Sequence, residues 1–97
     1  MKQITSIQNQ LVKDIFQLQE KSKARKKTGL FVIEGIREIE IALKNDFEVV
    51  QLLFCFDLFD AENLNHFKKK LTKTTELIEI SKEVYQKIAY RESTEGV

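Results

Sequence analysis

Between residues 21 and 27 the chain reads KSKARKK: five of the seven residues are basic and none is acidic. Lysine and arginine at this density can meet several backbone phosphates of a nucleic acid at once. Positive charge at a helix end is also stabilised by the helix dipole with no partner at all, and the sequence leaves both readings open. Lys68, Lys69 and Lys70 form a smaller basic run. Further on, Glu34 and Gly35 stand between an apolar run and a helical pattern. Gly35 permits a tight turn, and the N–H groups that follow it could receive an anion. Alternatively, Glu34 is itself a structural cap, set against the positive helix end or against Arg37 three residues on.

The remaining candidates are weaker. Glu34, Glu38 and Glu40 read as a solvated helix surface rather than as paired acid and base carboxylates. His66 sits on the polar side of a helical pattern, as a surface histidine rather than a general base. Arg37 and Arg91 are isolated cations, each first read as half of a surface ion pair worth about 0–1 kcal/mol. Cys55, in the apolar run VVQLLFCF, is a small buried hydrophobe rather than a disulfide partner or reactive thiol. One histidine and one cysteine cannot by themselves make a structural zinc site, so no metal is expected. No GxSxG, HExxH, Walker or GxGxxG pattern occurs, and no catalytic residue is assigned.

Elements must position these residues. Leu11, Ile15 and Leu18, flanked by Val12 and Phe16, form a helical stripe, with Thr5 and Gln8 or Ser6 and Asn9 as its cap. That helix should fade into the basic segment and turn at Thr28-Gly29. Residues 30–33 read as a short strand with both faces covered. Ile36, Ile39 and Leu43 trace the next helix, and residues 49–56 a second buried strand. Asp57 or Asp60 can open a helix carrying Leu64, Phe67 and Leu71. ELIEI, residues 76–80, supplies a third strand nearer a sheet edge, and Ser81 caps a last helix with Val84, Tyr85 and Ile88 inward. This order, α-βα-βα-βα, predicts an α/β fold: a three-layer α/β/α sandwich on a mostly parallel sheet, with an extra N-terminal helix.

Composition sets the bounds. The 97 residues suit one domain spanning residues 1–97. A hydrophobic fraction of 42% and a charged fraction of 32% fit a modest core under a solvated surface. No apolar run approaches the ~20 residues that span a bilayer, and the start lacks a secretory segment. A cytoplasmic protein that contacts no membrane is expected. The net charge of +1 does not itself point to nucleic acid; distribution matters more than the sum, and residues 21–27 are the strongest charge asymmetry in the chain.

Taken together, Ile4-Thr5-Ser6 with Asn9, the run LVKDIFQLQEKSKARKKTGLFVIEGIREIEIAL, and the ending YRESTEGV resemble the N-terminal substrate-binding domain of the SpoU (TrmH-like) family of RNA ribose 2′-O-methyltransferases. The most specific parts are Lys23-Ala24-Arg25, FVIEG and the last seven residues; residues 47–77 match only in pattern. The resemblance implies the sandwich of kink-turn-binding ribosomal proteins. It implies a domain that captures structured RNA, ribosomal or transfer, for a parent enzyme. In such a parent a knotted C-terminal domain, expected after residue 97, binds S-adenosylmethionine, transfers the methyl group and mediates homodimerisation, while this domain binds no cofactor. RNA contact is then expected at Lys23, Arg25, Lys26 and Lys27, with Arg37 and Arg91 second, and Glu34-Gly35 is a structural junction. No aromatic residue interleaves the basic cluster, so phosphate and shape contacts are expected rather than base stacking. The alternative is a stand-alone RNA-binding protein of the kink-turn type, with the fold but no enzyme.

Overall fold

Apolar residues spaced two apart on strands and three or four apart on helices are sorted here onto two sides of one small parallel sheet. A computed structural model describes residues 1–89 and 95–97. The elements are β1 (Lys2–Ile4), α1 (Gln10–Glu20), α2 (Ser22–Thr28), α3 (Ile36–Lys44), β2 (Gln51–Phe54), α4 (Ala61–Lys68), β3 (Glu76–Ile80) and α5 (Lys82–Ile88). The strands pair in the order β1-β3-β2, all parallel. Leu53 stands opposite Ile78, and Ile4 opposite Ile80; these four side chains share one face with Cys55. Leu52 stands opposite Leu77 and shares the other face with Phe54.

Each face has its own helices. Val12 of α1 and Val84 and Tyr85 of α5 pack on the first. Ile39 of α3, Leu64 and Phe67 of α4, and Phe59 pack on the second, where the Phe59 and Phe67 rings stack with centroids 5.8 Å apart. The expected three-layer sandwich and its leading helix are therefore present. Asp60 and Ser81 cap their helices: Asp60 Oδ1 accepts from Asn63 N at 2.8 Å, and Ser81 Oγ from Val84 N at 3.2 Å. Cys55 is buried in the first cluster, as its neighbours predicted.

Four details differ from expectation. The first helix starts at Gln10, capped by Asn9, whose Oδ1 accepts from Leu11 N at 2.9 Å. The residues before it make β1, a strand with one buried side chain, Ile4, and hence no visible alternation. The first helix does not fade into the basic segment, which forms a helix of its own, α2. The strand ELIEI is central, not marginal. Its buried Ile78 and Ile80 alternate with half-buried Leu77 and Glu79, and in a sheet of three strands even the central one carries an acid at a half-exposed position.

The largest departure concerns residues 30–33, which form no regular element. Leu30, Phe31 and Val32 are 37%, 52% and 36% exposed. A continuous apolar run marks a buried strand only where a sheet edge receives it. Here β1 has taken the place beside β3, and a cleft of about 480 Å³ lined by residues 30–33 and by Gln51, Leu52 and Leu53 separates the run from β2.

Candidate nucleic-acid interface

The helix α1 ends because Lys21 is extended, at φ −120° and ψ 114°. A second helix then starts in a new direction and lasts until Gly29, whose left-handed backbone (φ 71°, ψ 15°) lets its N–H donate to Arg25 O at 2.9 Å. On seven helical residues, positions 23, 26 and 27 fall on one face and position 25 on the other. Lys23, Lys26 and Lys27 are exposed accordingly. No ion pair engages them among the described residues.

Arg25 has a different task. Its Nη1 donates to Leu18 O at 2.6 Å and to Gln19 O at 3.3 Å, satisfying carbonyls that the end of α1 leaves open. The predicted cationic group is thus divided: three lysines face outward, and the arginine welds α2 to α1. Arg37 is exposed in the first turn of α3 and lines neither of the two clefts described here. Arg91 lies outside the described residues.

The Glu34-Gly35 junction is held by the far end of the chain. Gly35 (φ 105°) donates its N–H to Val97 O at 3.0 Å. The next N–H, that of Ile36 at the start of α3, donates to Glu95 Oε1 at 3.1 Å. A carboxylate therefore does occupy the anion position of this helix start, and it belongs to Glu95. Gly96 O accepts from Cys55 N at 2.8 Å, and Gly96 N donates to the Tyr85 hydroxyl at 3.0 Å. Gly96 is required there, since its φ is 83° and a Cβ would lie 2.8 Å from the Phe59 backbone N. Burial, and then the charge of Glu34, raise the Tyr85 phenol above its ordinary pKa, against the lowering effect of hydrogen bonding to the backbone of Gly96 and, more weakly, of Glu95.

His66 is exposed, with Nε2 3.7 Å from Glu40 Oε1, which answers its reading as a surface residue. Among the described residues no group of three or more His, Cys, Asp or Glu side chains converges as a metal site would require. None of their helices is long and apolar enough to cross a membrane.

Sequence reasoning missed an aromatic pair. Phe31 and Phe47 meet edge to face, centroids 5.5 Å apart and planes at 83°, and each stays half exposed. They line an open groove of about 1140 Å³ together with Arg25 and Lys26. The sequence signal was Phe47 itself, an aromatic stranded between the polar break at residues 44–46 and Glu48. Asp46, with φ 64°, makes the turn that delivers it.

Fold and surface together define a binding domain: an α/β/α sandwich presenting a lysine face beside an aromatic groove. A family model described as the MRM3-like substrate binding domain matches residues 9–97, and the chain belongs to that family. This is the assignment to which the residue resemblance pointed, a substrate-binding unit of RNA methyltransferases. No curated protein matches the chain.

Proposed function

We propose that this domain captures structured RNA, ribosomal or transfer, for an S-adenosylmethionine-dependent ribose 2′-O-methyltransferase. The observation that carries the reading is the exposed lysine face of α2, in a segment without a carboxylate. Family membership supports the role of substrate capture. Phosphates are the natural partners of such a face, and contacts to them position RNA without reading its sequence.

The cleft beside β2 is lined by Glu34, Glu48 and mostly apolar side chains, and on this reading the domain itself binds no cofactor. Cofactor binding, methyl transfer and homodimerisation are assigned to a knotted domain C-terminal to this one, in a cytoplasmic enzyme. The alternative, an RNA-binding protein of kink-turn type without enzymatic activity, shares the lysine face and differs only in lacking that second domain.

Salt dependence tests the capture role. Titration of structured RNA should give an affinity that falls steeply with salt, and Lys26→Ala with Lys27→Ala should weaken binding and reduce the log–log salt slope by roughly two. An unchanged slope, or no binding at low salt, overturns the reading.

A further inference from the structure

The groove between α2 and α3 unites two features that are far apart in the sequence. One wall is aromatic and aliphatic: Phe31 and Phe47 are 52% and 51% exposed, and Ile41 and Leu30 extend the apolar surface at 50% and 37%. The other wall is α2, which contributes Arg25 and Lys26. Lys26 belongs both to this groove and to the outward lysine face, so the two surfaces are continuous at its side chain.

An exposed apolar surface of this kind marks a place where something binds. Its chemistry selects among partners. Each residue of this edge-to-face pair stays about half exposed, which leaves aromatic surface for a planar ligand. Aromatic faces bordered by cations are how proteins hold unpaired nucleotides, with bases stacked and phosphates neutralised. Charge also orients the ligand. Lys26 stands on the α2 side of the groove, so the phosphate belongs there and the base inside, against the rings.

From these features we infer that the groove holds an unpaired nucleotide of the RNA, its base stacked on Phe31 or Phe47 and its phosphate against Lys26. This rests on the RNA-capture reading and sharpens it: the domain recognises a single-stranded or flipped-out position within structured RNA, not only the shape of a duplex. The fold thereby supplies the aromatic residue that was missing from the basic cluster in the linear sequence.

Two RNAs of equal length separate the possibilities, one single-stranded and carrying 2-aminopurine, the other fully paired. Phe31→Leu and Phe47→Leu keep the apolar surface and remove the stacking face. Each should weaken binding of the single strand by on the order of tenfold and abolish the quenching of 2-aminopurine, with paired-RNA binding and its salt slope unchanged. Phe31→Trp should retain the affinity, and as the chain has no other tryptophan, RNA should quench its emission directly. Circular dichroism checks that each variant is folded. Unchanged single-strand affinity and quenching in the Leu variants, while Lys26→Ala still weakens binding, overturn the nucleotide site and leave RNA capture standing. A change of sedimentation without a change of RNA affinity makes the groove a protein-docking surface and equally overturns it. Failure of both RNAs to bind removes the capture reading itself.

Discussion

Tyr85 joins the last turns of the fold through a single hydroxyl. It lies 3% exposed in the first core cluster and accepts from Gly96 N, a donor buried with it. Tyr85→Phe keeps the ring and leaves that N–H without a partner, which should cost about 1–3 kcal/mol in urea unfolding. The pH dependence has a definite sign. Because the folded pKa is raised, the phenol's contribution to stability is complete below the ordinary value of about 10 and is lost as pH rises through the folded value. The stability gap between wild type and variant should therefore narrow above about pH 10. Little of this was readable beforehand. Tyr85 was placed inward by its spacing from Val84 and Ile88, but its partner is a glycine in the tail, and only the folded chain brings the two together.

At the scale of elements, the basic segment shows what composition conceals. Residues 21–27 advertise cations, yet helical geometry sends Arg25 back onto α1 while Lys23, Lys26 and Lys27 face out. Arg25→Ala should thus lower stability by about 1–2 kcal/mol, seen as a reduced urea midpoint, whereas Lys26→Ala should leave that midpoint within about 0.5 kcal/mol. Strong local signals were legible in the same way as the lysines: the caps Asp60 and Ser81, the stripe of α3, and the strand ELIEI. Residues 30–33 misled because an apolar run states that surface must be covered, not by what. Phe31 was read as core, and in the fold it meets Phe47 at the mouth of a groove. The strand β1 escaped notice because three residues with one inward side chain carry no period.

For the molecule as a whole, the sheet is closed by its first strand. Ile4 is 2% exposed and packs with Ile78, Ile80 and Val84. Removing its side chain in Ile4→Ala should cost about 2–4 kcal/mol, measured by chemical unfolding, a large share of the 5–15 kcal/mol that stabilises a typical domain. The lysine face and groove should survive in the folded fraction, because α2 is attached through Arg25 and α1 rather than through β1.

The pairing of β1 with β3 also bears on how the protein comes into being. Lys2 aligns with Ile78, and Ile4 with Ile80. During synthesis β1 must wait for β3, and β2 cannot complete the sheet for it, since β2 too pairs only with β3. No part of this sheet can form until residues 76–80 have emerged. Until then the nascent chain carries the apolar segments of β1 and β2 unpaired, and folding depends on contacts between distant residues, which form slowly.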